Sequence, residues 1–418
     1  ALTGSDSADT FVLATVDNAT QLKANDIVFE DINTTIDAST NGTGSDKLTS
    51  DFDATLAGAA KALISKGFTF QNIETADLNT KALTGSGSAD TFVLATVDNV
   101  TQLKANDIVF EDINTTIDAG ANGAGSDKLT SDFDATLAGA SKALISNGYT
   151  FQNIETADLN TKALTGSGSA DAFVLSTVDN ATQLKANDIV FEDINSTIDA
   201  GDNGTGSDKL TSDFDATLTG ASKALISSNF TFQNIESADL NTKTLKSTDA
   251  SDTFTFTDAN TFNVNDISFT DVATVVAGGA DSVIDTVKTA GNKAELTGAS
   301  NELKVSGITF QSIDVADLAG VNESGEVNNG SLSGSSKADT FVLATVESET
   351  QLKANGIVVN NSNTTIDAGD NGTGSDKLTS DFDATLAGAS KALISNGYTF
   401  QNIETADLNT KALTGSGS

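Results

Sequence analysis

An 81-residue internal repeat constrains the fold of this chain more than any other feature. The segment ADTFVLATV or a close variant of it begins at five positions, which are Ala8, Ala89, Ala170, Ser251 and Ala338. This spacing divides the sequence into repeats 2–82, 83–163, 164–244, 245–331 and 332–412, with residues 413–418 starting another. A fixed period of this kind predicts an array in which each repeat packs on its neighbours.

The repeats are nearly identical except for the fourth one. Repeat 245–331 lacks the segment GTGSDKL and carries the insertion VNESGEVNNG from Val321 to Gly330. The sequence opens with ALTGSDS and closes with ALTGSGS, so both ends fall at the same phase of the repeat. We therefore expect the chain to be a window within a longer array.

A weaker period divides each repeat into two halves. In the first repeat, Phe29 and Ile32 of the first half match Phe70 and Ile73 of the second, and both pairs end similar apolar segments. The matched residues are 41 positions apart, and the same offset separates Phe269 from Phe310 in the divergent repeat. Each repeat is thus interpreted as a degenerate duplication of a module of roughly 40 residues.

Short β-rich runs dominate the local pattern. Segments such as DTFVL, DIVFEDI, TTIDA and YTFQNIE are bounded by Gly, Asn, Asp and Ser, which is typical of strands joined by turns. One segment, residues 134–148, has apolar residues at helical spacing and a Gly at its end. The sequence predicts an all-β parallel β-solenoid of stacked coils of about 20 residues, ~4.8 Å apart. A short flanking helix in each repeat is the alternative for residues 134–148.

The composition excludes several classes of site and partner. The 418 residues include 58 Asp and Glu, 22 Lys and no Arg, giving a net charge of −36, and there is no Cys, His or Pro. Disulfides and thiolate metal sites are excluded, and the negative charge disfavours nucleic acid. The sequence has no run of the ~20 apolar residues that a membrane span needs. Oxygen-rich acidic surfaces favour hard cations such as Ca²⁺.

One glycine-rich turn resembles a known family. The segment NGTGSDKLT, from Asn41 to Thr49, recurs from Asn203 and Asn371, and with one change from Asn122. It resembles the nonapeptide G-G-x-G-x-D-x-hydrophobic-x of RTX (hemolysin-type calcium-binding) repeats, with Asn in place of the first Gly. The weaker turn GSGSADTFV, from Gly85 to Val93, and its context resemble degenerate repeats of large secreted bacterial surface proteins. In RTX proteins such turns bind calcium through Gly carbonyls and the Asp carboxylate within a parallel β-roll.

The resemblance implies a set of candidate calcium ligands. They are Asp46, Asp127, Asp208 and Asp376 in the stronger turns, and Asp9, Asp90, Asp171 and Asp339 in the weaker ones. Four further residues supplement them: Asp199, Asp202, Asp367 and Asp370. Along the chain these turn Asp residues alternate spacings of 37 and 44, so each turn could supply only half a site. The alternative is that each Asp simply hydrogen-bonds the backbone of its own turn.

These features favour a structural role over catalysis. We expect a non-enzymatic repeat region of a secreted bacterial cell-surface protein, either an adhesin stalk or an extracellular or biofilm-matrix filament, stabilised by calcium. Its expected partners are other copies of itself, head to tail or laterally, and cell-surface or glycan ligands. A surface-layer lattice protein is the alternative. A polysaccharide-active β-helix enzyme is less favoured, because every Asp singled out above recurs from repeat to repeat, whereas an active site is usually a single constellation.

Overall fold

The chain folds entirely from strands. The computed structural model describes residues 2–39, 44–121, 125–202, 206–279, 283–321, 327–370 and 374–415, and within these ranges there is no helix. Residues 134–148, the segment with a helical alternative, form strands at Ala135–Leu137 and Ala143–Ser146. Among the described residues nothing resembles a membrane-spanning helix. The predicted all-β parallel β-solenoid is confirmed.

Each repeat contributes ten strands in the described part of the chain. In the first they are β1 (Leu2–Thr3), β2 (Thr10–Val16), β3 (Ala19–Ala24), β4 (Ile27–Phe29), β5 (Thr35–Asp37), β6 (Lys47–Ser50), β7 (Ala54–Leu56), β8 (Leu63–Ser65), β9 (Phe68–Gln71) and β10 (Thr75–Asp77). In the second they are β11 (Leu83–Thr84), β12 (Thr91–Val97), β13 (Val100–Ala105), β14 (Ile108–Glu111), β15 (Thr116–Asp118), β16 (Lys128–Ser131), β17 (Ala135–Leu137), β18 (Ala143–Ser146), β19 (Tyr149–Gln152) and β20 (Thr156–Asp158).

The third repeat follows the same plan, and the fourth modifies it. The third contains β21 (Leu164–Thr165), β22 (Ala172–Val178), β23 (Ala181–Ala186), β24 (Ile189–Glu192), β25 (Thr197–Asp199), β26 (Lys209–Ser212), β27 (Ala216–Leu218), β28 (Leu225–Ser227), β29 (Phe230–Gln233) and β30 (Ser237–Lys246). The fourth contains β31 (Thr253–Phe256), β32 (Thr261–Val264), β33 (Ile267–Val276), β34 (Thr286–Lys288), β35 (Ala294–Leu296), β36 (Glu302–Val305), β37 (Ile308–Gln311), β38 (Val315–Asp317), β39 (Gly320–Val321) and β40 (Val327–Asn328).

The fifth repeat returns to the plan of the first three. It contains β41 (Leu332–Ser333), β42 (Thr340–Val346), β43 (Glu349–Ala354), β44 (Ile357–Asn360), β45 (Thr365–Asp367), β46 (Lys377–Ser380), β47 (Ala384–Leu386), β48 (Leu393–Ser395), β49 (Tyr398–Gln401) and β50 (Thr405–Asp407), and β51 (Leu413–Thr414) follows it. By compactness the chain divides into two units, residues 1–208 and 209–418, and the division falls inside the third repeat.

Two sheets run through the first compact unit. Sheet I has the strand order β4-β3-β2-β6-β10-β14-β13-β12-β16-β20-β24-β23-β22. Sheet II has the order β1-β5-β9-β8-β7-β11-β15-β19-β18-β17-β21-β25. Repeats therefore add strands to both sheets in turn, which is how a solenoid grows.

The second compact unit has the same two kinds of sheet. Its sheet I runs β26-β30-β33-β32-β31-β34-β38-β44-β43-β42-β46-β50. Its sheet II runs β29-β28-β27-β30-β33-β37-β36-β35-β41-β45-β49-β48-β47-β51. The ten-residue strands β30 and β33 belong to both sheets, a feature of the divergent repeat and its junction.

The coils are longer than the sequence predicted. Thr10 pairs in parallel with Lys47, Lys47 with Thr75, and Thr75 with Val109, so the chain completes one coil between each residue and the next. The predicted coil length is wrong, since even the coil from Lys47 to Thr75 exceeds it. The extra length comes from three-stranded antiparallel meanders such as β2-β3-β4 and β7-β8-β9, which occupy one sheet before the chain crosses to the other.

The weaker period within each repeat is an exchange of sheets. The first half of a repeat places its meander in sheet I, then one strand in sheet II (β5) and one in sheet I (β6). The second half places its meander in sheet II and then one strand in sheet I (β10), and the first strand of the next repeat (β11) follows in sheet II. Equivalent residues of the two halves, such as Phe29 and Phe70, therefore lie in opposite sheets.

The core lies between the two sheets. Alternate residues of each strand point inward, and these form ladders across the strands, as in the buried series Phe11, Leu48, Ala76 and Phe110 of sheet I. The Phe11 ring meets the Phe70 ring of sheet II edge to face at 6.1 Å. Apolar contact across the gap, together with strand hydrogen bonds along the sheets, holds successive repeats together.

Removal of one whole repeat is expected to leave a folded chain. Deletion of residues 83–163 joins Ala82 to Leu164, so β10 meets β24 in the register that β20 uses, Thr156 with Val190. Far-ultraviolet circular dichroism should show full β content, with a melting midpoint within a few degrees of the parent. Deletion of residues 83–142 breaks the phase and is the control, expected to melt without cooperativity. Equal behaviour of the two variants would contradict the interlocking of repeats.

Candidate functional site

The predicted turn Asp residues lie side by side in sheet I. Asp9 directly precedes β2 and Asp46 directly precedes β6, and these two strands are parallel neighbours. The backbone N–H of Asp9 donates to Oδ1 of Asp46 at 2.7 Å. The Asp9 side chain is 3% exposed and that of Asp46 is fully buried. The two Asp residues that are 37 positions apart, one in the weaker turn and one in the stronger turn of the same repeat, are therefore in contact.

The pairing recurs in every repeat. The donor–acceptor pairs are Asp90 with Asp127, Asp171 with Asp208, and Asp339 with Asp376, each at 2.7 Å. All eight predicted residues are thus buried and brought together in four pairs. Asp residues that are 44 positions apart, such as Asp46 and Asp90, belong to different pairs, and the structure separates them.

Hydrogen-bond donors surround the carboxylate of Asp9. Its Oδ2 accepts the backbone N–H of Ser5 at 2.6 Å, and its Oδ1 accepts Nδ2 of Asn25. Burial acts to raise the pKa of Asp9, but the hydrogen bonds from Ser5 and Asn25 outweigh it, so the pKa lies below its usual value. Asn25 occupies the β3–β4 turn with φ of 44°, which Asn tolerates.

A second acidic residue continues the network from Asp46. The backbone N–H of Asp46 donates to Oε2 of Glu74 at 2.8 Å, and Oε1 of Glu74 accepts Nζ of Lys61 at 2.9 Å. The same arrangement joins Asp127, Glu155 and Lys142. Sequence analysis missed Asn25, Glu74 and Lys61, although their recurrence at the repeat period in nearly all repeats was a usable signal.

The divergent repeat keeps the pair but changes its surroundings. The N–H of Asp252 donates to Oδ1 of Asp285 at 2.8 Å, and the N–H of Asp285 donates to Oδ2 of Asp314 at 3.0 Å. Burial raises the pKa of Asp285, and the charges of Asp252 and Asp314 add to the increase against one backbone hydrogen bond. Sequence analysis missed this pair because the segment GTGSDKL is absent, although SDTFTF at Ser251 aligns with the other repeats.

Sheet II contains an Asp contact that corresponds to the Asp9–Asp46 pair of sheet I. Asp53 precedes β7, the counterpart of β2, and its Oδ1 accepts the N–H of Ala82 at 3.0 Å. In sheet I the residue before the meander donates its N–H to the Asp before the single strand. In sheet II the direction is reversed, because Ala82, before the single strand β11, donates to the Asp before the meander. In the divergent repeat, Lys293 replaces this Asp. The stronger and weaker glycine turns are therefore neighbours in one sheet, and they are not half-repeat equivalents.

Two of the turn glycines are required by close packing of the backbone. A Cβ on Gly85 would lie 1.9 Å from the carbonyl oxygen of Ala119, and a Cβ on Gly44 would lie 2.5 Å from the amide nitrogen of Ala8. Neither glycine has a left-handed φ. At these positions glycine is required because a side chain would collide with the backbone of the neighbouring coil.

The supplementary residues lie in turns that follow sheet II strands. Oδ1 of Asp199 accepts the N–H of Gly201 at 3.0 Å, and Oδ1 of Asp367 accepts the N–H of Gly369 at 3.0 Å. Asp202 and Asp370 are exposed. In both turns the Asp side chain therefore accepts a hydrogen bond from the backbone of its own turn.

The described geometry fits hydrogen bonding better than calcium coordination. Oxygens that would ligate a cation, such as both of Asp9 and Oδ1 of Asp46, accept N–H groups. Within the described ranges, no group of three or more acidic side chains is placed to hold a metal ion. The first residues of the stronger turns, such as 41–43, lie outside the described residues. Calcium binding by these turns stays a prediction.

Comparison with known proteins finds no relative for this arrangement. No protein family, curated protein or solved structure matches the chain.

Replacement of Asp9 by Asn should destabilise its turn in a pH-dependent manner. A depressed pKa means that the ionised carboxylate stabilises the fold above the unfolded value of ~3.9, and that this contribution is lost as pH falls through the folded pKa. Asp9→Asn should therefore speed amide exchange of residues 2–16 most at pH 7 and progressively less toward pH 3, when each rate is corrected for intrinsic exchange. Asp17→Asn, in the exposed hairpin turn, is the matched control. A pH-independent difference would contradict the role of the Asp9 charge.

The hydrogen bonds predict that the fold does not depend on a metal. We expect the melting midpoint of the full chain to be unchanged when EDTA replaces millimolar CaCl₂, with MgCl₂ as the control for ionic strength. The measurement is circular dichroism during heating. A midpoint lower by tens of degrees in EDTA would instead support the calcium ligands that the RTX resemblance implies.

Proposed function

We propose that this chain is a structural, non-enzymatic repeat region of a secreted bacterial cell-surface protein, forming an adhesin stalk or an extracellular matrix filament. The observation that supports it is that every repeat continues both sheets of the one before it. In the first compact unit, β10 pairs with β14 in sheet I and β7 pairs with β11 in sheet II across the boundary between the first two repeats. Such an array becomes longer with each added repeat, as a stalk or a filament requires.

The buried polar groups support a structural role. Each Asp pair joins two neighbouring coils, and its side chains are buried at Asp9, Asp46 and their counterparts. The divergent repeat has Asp285 and Asp314 where the first repeat has Asp46 and Glu74, and there too Asp252 and Asp285 are buried. A carboxylate that acts on a polysaccharide must reach its substrate, so these residues do not favour an enzyme.

The charge and composition suit an extracellular setting. A net charge of −36 favours solubility and opposes non-specific association. The chain contains no cysteine, so its stability is independent of redox conditions. Surface lysines such as Lys47 lie between acidic partners, with Nζ 2.7 Å from Glu111 and 3.7 Å from Asp77, so they tie coil to coil. These pairs are exposed, and each contributes about 0–1 kcal/mol.

Location on the source cell tests this proposal. Antibodies against the folded chain, applied to intact cells and detected by immunogold electron microscopy, should label the cell surface or extracellular fibres. Permeabilised cells and an antibody against a cytoplasmic protein serve as controls. Labelling that appears only after permeabilisation would overturn the proposal.

A further inference from the structure

Three lysines of the second compact unit replace other residue types of the regular repeats. They are Lys293 before β35, Lys304 in β36 and Lys337 after β41. The corresponding residues of the first two repeats are Asp53, Ile64 and Ser88. All three lysines line one groove with a volume of about 710 Å³, which we call the lysine groove. Substitutions that are separate in the sequence therefore converge at one place on the surface.

The lysine groove lies on the outer face of sheet II. Leu303 and Val305 of β36 point into the core, so Lys304 between them points away from it. A row of paired residues crosses the sheet at this level, one from each of five neighbouring strands: Thr309, Lys304, Glu295, Ser333 and Asp367. Four steps of ~4.8 Å between strands give the row a length of about 19 Å. The groove is therefore long enough for several units of a linear polymer.

The matching row of the first two repeats has a different chemistry. It consists of Thr69, Ile64, Thr55, Thr84 and Asp118, so only its last residue is charged. The core-facing residues beside the row are leucines in both cases, since Leu296 and Leu303 stand where the first repeat has Leu56 and Leu63. The divergent repeat thus changes the outer surface of sheet II and leaves this part of the core as it is.

Lys337 is held over the groove by a glycine of the neighbouring turn. A Cβ on Gly298, in the β35–β36 turn, would lie 2.6 Å from Cβ of Lys337. In the first compact unit a Cβ on Gly58 would lie 3.7 Å from Cβ of Ser88, its counterpart there. The aliphatic stem of Lys337 therefore packs on bare backbone, which leaves its ammonium group to extend into solvent.

Several carboxylates of the groove already accept hydrogen bonds from the protein. Oε1 of Glu295 accepts a hydrogen bond from Nζ of Lys293 at 2.7 Å, and Oε2 of Glu302 accepts one from Nε2 of Gln311 at 2.9 Å. Oδ1 of Asp367 accepts the backbone N–H of its own turn at 3.0 Å. These oxygens are therefore engaged, and so is one of the three lysines.

The other two lysines are available to a ligand. Lys304 and Lys337 are exposed, and neither forms an ion pair in the part of the chain that the structure describes. Thr309 and Ser333 add hydroxyl groups, and Asp370 is an exposed carboxylate of the same groove. Two ammonium groups thus face one carboxylate, so the groove offers charged donors that an anionic oxygen would satisfy.

We propose that the lysine groove binds a carboxylate-bearing polysaccharide, with Lys304 and Lys337 each contacting the carboxylate of a uronic acid unit. This inference rests on the proposed cell-surface function and names its ligand class. A polysaccharide fits better than a protein segment, because the outward row is polar and has no apolar residue to receive a side chain. The hydroxyls of Thr309 and Ser333 hydrogen-bond the sugar.

The charge of the whole chain determines the conditions under which this contact forms. A net charge of −36 opposes the approach of an anion at long range. At 0.15 M NaCl, exposed charges more than about 8 Å apart are largely screened, whereas lysines in contact with the ligand keep their attraction. Binding is therefore measured at this salt concentration, with EDTA present so that no divalent cation joins ligand and protein carboxylates.

Isothermal titration calorimetry of the full chain with tetragalacturonate tests the proposal. Lys304→Ile and Lys337→Ser restore residues that the regular repeats carry, so the fold is retained. Each should weaken binding at least about tenfold, because a hydrogen bond between charged groups is lost. Lys288→Thr is the matched control, since it removes a lysine from the same repeat and restores the counterpart of Thr49, but in sheet I. It should bind as the parent does.

Two further ligands separate charge from shape. The methyl ester of tetragalacturonate should bind the parent at least about tenfold more weakly than the acid, because it lacks the charge that the lysines contact. A parent chain that does not bind the acid, an ester that binds equally well, or an equal loss in Lys288→Thr would refute the proposal. Equal affinity for tetraglutamate would assign the groove to an acidic peptide and refute the polysaccharide. None of these results bears on cell-surface location, so failure here is distinct from failure of the proposed function.

Discussion

The hydrogen bond from one turn Asp to the next determines how the coils stack. Where Asp9 donates to Asp46, the two strands that follow start level with each other, and their inward residues Phe11 and Leu48 fall into one ladder. A shift of one residue would turn every core side chain outward. The buried carboxylate therefore fixes register at the entry to each strand, and the interleaved core of both sheets depends on that register.

Burial of a charged carboxylate is unfavourable unless it is hydrogen-bonded or paired. The regular repeats and the divergent repeat meet this requirement differently. In the first repeat, N–H donors surround Asp9 and hold its pKa below the usual value, and Lys61 forms an ion pair with Glu74. In the divergent repeat, Asn301 stands where the first repeat has Lys61, and three carboxylates share one region. Burial raises the pKa of Asp285, and the charges of Asp252 and Asp314 add to the increase. With a folded pKa above the unfolded value, its contribution to stability is present at low pH and lost as pH rises, the reverse of Asp9.

Much of this architecture could be predicted from the sequence. The long repeat period and the short β-rich runs indicated a solenoid, and the eight turn Asp residues lie in four buried pairs. The contact between Asp9 and Asp46 could not be predicted, because it depends on which strand follows β2 in sheet I. That order depends in turn on the meanders, whose hairpins add strands without changing the local pattern. For the same reason the coil length was underestimated, and the close contact with Ala119 that requires glycine at position 85 could not be predicted.

The direction of the strands determines how the fold would respond to tension. Within either compact unit the strands lie across the direction of stacking, so a pull along that direction separates neighbouring strands one hydrogen bond at a time. Each coil that detaches, such as the one from Thr10 to Lys47, frees roughly 120 Å of extended chain in place of the few ~4.8 Å steps that its strands occupy in the sheet. A tether built in this way yields at modest force and lengthens greatly before it parts, and it can refold coil by coil on the intact template when the load is released.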